Sequence, residues 1–191
     1  MVSKAKDIEA EAAEPIPDGR RLRSERSQQA IIDAGLELIR EGTLIPTAQL
    51  ISERAGVGIR TFFRHFADME QLFREVEAKH RESTEALFFG GNRDGTTAER
   101  ILHAVEHRAE GYENKRNIIL STAAQSWRYE ILRKNYARYQ RGLRKDLIDW
   151  LPELSCVSSN RQEMINAAAS FEMWHRLRYH QGLSKKTSIE I

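Results

Sequence analysis

The chain of 191 residues has one cysteine, four prolines and no long apolar run. A single cysteine forms no intrachain disulfide and is what a reducing compartment tolerates. No low-pKa environment is visible around Cys156, so it reads as a packed residue rather than a nucleophile. No segment approaches the roughly 20 apolar residues that a membrane-spanning helix needs. The opening MVSKAKDIEAEAAEP also lacks a signal peptide's apolar centre, so the expectation is a soluble, cytoplasmic protein with no membrane partner. A charge excess is missing too: 30 basic against 28 acidic residues leave +2, and any polyanionic partner must be read from distribution. With no strand alternation and no internal repeat, the expected fold class is all-α, of a size that forms a core without disulfide or metal.

What is present is a series of amphipathic segments. Residues 1–23 form an expected disordered N-terminal arm, poor in large apolar groups and holding Pro15, Pro17 and Gly19. Arg20, Arg21, Arg23 and Arg26 close it with a basic run that suits either a minor groove or solvent. A first helix is expected over 27–41, with Ala30, Ile31, Ala34, Leu38 and Ile39 at helical spacing and Gly42 as its stop. Residues 43–46 connect it to a short second helix capped by Thr47, with Ile51 and Ala55 inward. Gly56, Val57 and Gly58 make a tight turn, and a third helix follows over 59–66 with Phe62 and Phe66 inward. Asp68 caps a fourth helix.

Thr47 to Leu72 is therefore a helix, turn, helix and the start of another. Arg54, Arg60, Arg64 and His65 fall within residues 54–67 with no acid among them, which marks a phosphate-facing surface. In a helix-turn-helix the second helix enters the major groove with its first residues at base edges. Arginine there pairs with guanine, and the methyls of Ile59 and Thr61 meet a thymine methyl.

The segment IIDAGLELIREGTLIPTAQLISERAGVGIRTFFRHFADMEQL, from Ile31, resembles the DNA-binding domain of TetR/AcrR-type transcriptional regulators. The likeness runs through Ala34, Leu38, Gly42, Thr47, Ile51, the Ala55-Gly56-Val57 turn, Thr61, His65-Phe66 and Leu72. It implies phosphate contacts from Thr47, Thr61 and His65, and base or groove contacts from Gln49, Ile59 and Arg60. Arg64 is added because its charge falls on the same face, and Phe63 because its ring can pack against sugar. Three positions depart from the family's pattern. Phe63 stands where tyrosine is usual, Gly58 where a serine-like cap is usual, and Met69 where lysine is usual. Such a chain would be a homodimeric repressor on a pseudo-palindromic double-stranded DNA operator, or a protein of the same fold that has lost specific DNA recognition.

GGNRDGTT, residues 90–97, is the clearest break, so the DNA-binding domain with its linking helix is expected over 24–89 and a second helical domain over 90–191. Helices are expected over 98–112, with Ile101, Leu102, Val105 and Ala109 inward, over 123–151, ended by Pro152, and over 160–180, with Met164, Ala167, Ala168, Phe171 and Trp174 inward. LSKKTSIEI reads as the start of one more, in a chain expected to continue past Ile191. The resemblance implies that this domain binds a small-molecule effector and dimerises through residues 160–191. Its aromatic and polar groups His103, His107, Tyr112, Trp127 and Phe171 either fill the core or line a ligand pocket. His103, Glu106 and His107 match H-x-x-E-H, a zinc-protease spacing, but no third-ligand pattern supports it. The expectation is no catalysis, no metal and no cofactor. His175 and His180, five residues apart, are expected on different helix faces.

Overall fold

The structure, a computed structural model, describes residues 19–191, and the expected arm lies outside these except for its last five positions. Those five belong to α1 (Gly19–Arg40), which begins well before the expected start. Arg20, Arg21, Arg23 and Arg26 are thus helical, and pairs such as Arg21 with Glu25 at 2.9 Å lie along one face. α1 ends where Gly42 takes φ +106°, a conformation that costs other residues steric strain.

α2 (Ala48–Arg54) is capped by Thr47, whose hydroxyl accepts from the Leu50 amide at 3.2 Å. α3 (Ile59–His65) follows a turn in which Gly56 has φ +65°. Gly58, expected to share that role, has φ −71° and is the N-cap of α3, with no side chain to bond the first amides. α4 (Met69–Phe88) starts from a reciprocal pair: Asp68 accepts from the Gln71 amide at 2.8 Å, and Gln71 accepts from the Ala67 amide at 2.7 Å. Ile31, Ile32, Ile51, Phe62, Phe66 and Leu72 close one core beneath these four helices, and Met69 packs against it.

α5 (Thr97–Gln125) carries a capping box from Thr96 and Glu99 and is far longer than expected. Residues 113–122, between the two expected helices, contain no glycine or proline and continue the helix, with Glu113 held by Arg178 and Asn117 donating to the Arg40 carbonyl. Ala104, Arg108, Gly111 and Tyr112 are buried, whereas Ile101 and Leu102, expected inward, are each 46% exposed. The turn comes later, at residues 126–129, and leads into α6 (Glu130–Trp150), whose Leu132, Leu143, Leu147 and Trp150 are buried. A 3₁₀ turn (Pro152–Cys156) follows, in which Cys156 is exposed rather than packed, because a one-turn segment has too little buried face to cover it.

The single helix expected over 160–180 is interrupted. α7 (Ser159–Ala168) gives way at Ser170, which caps α8 (Phe171–His175), and α8 widens into a π turn (Arg176–His180) before α9 (Lys185–Glu190). Phe171 and Trp174 are buried, but Met164 is 71% exposed and α7 has no buried residue. Within the π turn residues five apart align, so His175 and His180 meet edge to face at 5.0 Å, contrary to the expected separation. Among the described residues there is no strand, and no helix is long and apolar enough to cross a membrane.

Candidate nucleic-acid interface and internal cavity

α3 stands on the first core through Phe62 and Phe66, both fully buried and 5.6 Å apart between ring centroids. The same spacing turns Arg60, Phe63 and Arg64 outward. Phe63 is 53% exposed and meets Phe62 edge to face at 5.3 Å, which stiffens an aromatic ring held in solvent. Arg60 and Arg64 form no ion pair among the described residues, and both point charges are available to an incoming anion. Thr61 is half-buried beside them, and Ile59 is half-buried against the core, so only part of Ile59 is free to touch a ligand.

Thr47 and Gln49 lie exposed at the start of α2. The Gln49 amide donates to Glu53 at 2.7 Å, a contact that any base contact must exchange. His65 is half-buried at the end of α3, with Nε2 covered and without a partner. Burial, and secondarily the Arg64 charge, hold its pKa below the ordinary histidine value.

Arg54 does not join this surface. Its guanidinium holds both Glu41 oxygens, at 2.9 and 2.6 Å, with Glu37 at 3.9 Å. The Glu41 carboxyl is lowered by this hydrogen bond. The basic run of residues 54–67 therefore divides into one structural arginine, which ties α2 to α1, and a free group on α3.

Between the first core and the later helices lies a cavity of about 170 Å³. α1, α4, α5 and α6 line it, with Phe73, Val76, Phe88 and Ile118 among its apolar walls. Of the residues singled out as pocket candidates, Tyr112 and Phe171 line it; His103, His107 and Trp127 do not. Trp127 is 81% exposed in the turn after α5, because that turn falls where a helix had been expected to run on. His107 packs against Trp150 at 6.2 Å, and His103 Nδ1 and His107 Nε2 are covered without partners. Among the described residues no three His, Cys, Asp or Glu side chains are grouped to hold a metal.

Several residues that bear on the cavity carry no motif. Arg40, His80 and Lys115 line it, as do Ser121 and Gln125 of α5. Ser121 and Gln125 also donate to the Leu44 carbonyl at 2.7 and 3.1 Å, and Asn117 donates to the Arg40 carbonyl at 2.8 Å. These three polar residues recur every fourth position on α5, the one sequence signal that could have marked a polar seam against the connector before α2.

A helix raised from its core with exposed arginines, beside later helices that line a cavity, is the arrangement of a helix-turn-helix protein. Residues 31–76 match the family of bacterial regulatory proteins of the tetR type. The match covers α2, α3 and parts of α1 and α4, so the helix-turn-helix segment of this chain is similar to the DNA-binding region of that family. The same fold occurs in a proposed transcriptional regulator of Streptomyces coelicolor A3(2), whose crystal structure is similar with a TM-score of 0.58 at 20% identity, over 86% of this chain and 95% of that one. No curated protein matches the sequence.

Proposed function

We propose that the protein is a cytoplasmic, homodimeric repressor that leaves a pseudo-palindromic operator when a small molecule occupies the cavity. The observation that carries the reading is the exposed row of Arg60, Phe63 and Arg64 on a helix anchored by Phe62 and Phe66. Thr47, Thr61 and His65 contact phosphates, Gln49, Ile59 and Arg60 contact bases, and Arg64 adds charge to the same approach. Dimerisation through residues 160–191 is supported by α7, whose Met164 and Ile165 are 71% and 37% exposed on a helix that buries nothing within the chain. Two copies would set two recognition helices one helical turn of DNA apart.

Release is supported by the cavity's walls. Ser121 and Gln125 face the cavity and also hold the connector before α2, so a ligand that moves them changes the seat of the helix-turn-helix.

Selection of bound sequences from a random duplex pool tests the reading. An enriched palindrome supports it, and Arg60→Ala should then blur base preference while Thr47→Ala weakens all duplexes alike. Salt-sensitive binding with no enriched sequence would instead mean that the fold has lost specific recognition. Gly58 without a cap and Phe63 without a hydroxyl motivate that second reading.

A further inference from the structure

The polar groups of the cavity are unevenly matched. Glu77, its one acidic wall residue, is already held by Arg138, by Arg81 at 3.1 Å and by the Tyr139 hydroxyl at 3.4 Å. Arg40, His80 and Lys115, from α1, α4 and α5, line the same cavity. Arg40 and Lys115 make no ion pair among the described residues, and His80 Nε2 is covered with no hydrogen-bond partner. The carboxylate whose charge acts on His80, that of Asp33, accepts from Gln29 at 2.7 Å. Three cationic or donor groups thus line one partly open space without an anion of their own, His80 and Lys115 half-buried and Arg40 exposed. A half-buried ammonium or covered donor with no partner carries part of a desolvation cost that a bound anion offsets. Burial and the Arg40 charge lower the pKa of Lys115, as burial and the Lys115 charge lower that of His80.

The rest of the wall is uncharged, with Phe73, Phe88, Tyr112 and Phe171 as its aromatic part and Ser121, Gln125 and Asn135 among its polar part, around a space of about 170 Å³. A dry cavity of about 150 Å³ holds benzene, so a single ring or short branched chain fills this one. We infer that the effector is a small organic acid, one apolar ring or short alkyl body bearing one carboxylate, with the carboxylate held by Lys115, His80 and Arg40. This rests on the reading of the cavity as the effector site. A carboxylate there joins α1 and α4 to α5, directly beside the Asn117 bond to the Arg40 carbonyl.

Titration calorimetry of the full chain with benzoate, benzamide and benzylammonium at pH 7 tests it, repeated on Lys115→Met and His80→Gln with folding checked by circular dichroism. Benzoate should bind at least about tenfold more tightly than benzamide, benzylammonium should bind least, and each variant should reduce the preference for benzoate. Equal binding of benzoate and benzamide would overturn the acid while leaving the cavity as a binding site. A benzoate preference unchanged in both variants would overturn the site. Binding of none of the three would remove both the acid and the cavity reading.

Discussion

The Ser121 hydroxyl donates to the Leu44 carbonyl at 2.7 Å, so α5 grips the connector that feeds the helix-turn-helix. Gln125 shares the same acceptor. Replacing both by alanine leaves a carbonyl with neither partner, and the double variant should lose about 1 to 3 kcal/mol of stability. Its operator affinity should also fall although no recognition residue has changed. Thermal unfolding and fluorescence anisotropy with a selected duplex measure the two effects, and an unchanged affinity would disconnect the connector from DNA binding.

Arg54 and Arg60 are both basic residues of the same motif, but only one is free. Arg60→Ala should reduce the slope of log affinity against log salt by about one unit. Arg54→Ala should leave that slope intact, since its guanidinium already faces Glu41 and Glu37. Salt titrations of duplex binding distinguish them; equal slopes for the two variants would mean that Arg54 exchanges partners on DNA.

His65 gives the binding a pH dependence of definite sign. Its pKa is depressed in the free protein, so the ring is neutral at pH 7. A phosphate beside it favours the charged form, and binding therefore takes up a proton. Affinity should rise by a few-fold as pH falls from 7.5 through the ordinary histidine range near about 6.5. His65→Gln should flatten that dependence without abolishing binding.

Gly58 begins α3 in extended backbone, and a Cβ there would meet open space. Gly58→Ser should add the missing N-cap and restrict the unfolded chain, raising stability by about 0.5 to 1 kcal/mol. Chemical denaturation measures it; a loss of stability would show that the serine hydroxyl does not reach the α3 amides.

Gly111 is constrained in the opposite way. A Cβ there would lie 2.5 Å from Phe88 Cε1 and 2.8 Å from Cδ1, inside the contact between α4 and α5. Gly111→Ala should cost about 1 to 3 kcal/mol by overpacking, read as a lowered unfolding midpoint, and should disturb the cavity that Phe88 lines.

The N-terminal domain was legible because each of its signals is local: Thr47 as a cap, glycine stops, and phenylalanines four apart. The later helices were less so. The first helix of this part is expected to stop at residue 112, because the apolar spacing fades there while Asn117 finds its partner only in the distant Arg40 carbonyl, and Ile101 and Leu102 look buried until Ala104 and Arg108 take the inward face. Arg54 likewise reads as a phosphate ligand until α1 brings Glu41 beside it. His80 and Lys115 belong to no motif, and only the packing of α1, α4 and α5 brings them to one cavity.

The π turn at Arg176–His180 has a genetic counterpart. A π turn holds one residue more than the α-helical turn it replaces, so deleting one position there, Leu177 for instance, would return the segment to ordinary winding. Arg178 and all that follows would then rotate by about 100° about the helix axis. Arg178 and Tyr179 both donate to Glu113, and Tyr179 also stacks on His175; these contacts could not survive that rotation. In this region the reading frame of the helix is as constrained as its side chains, and length variation is admissible only in multiples that keep the extra residue.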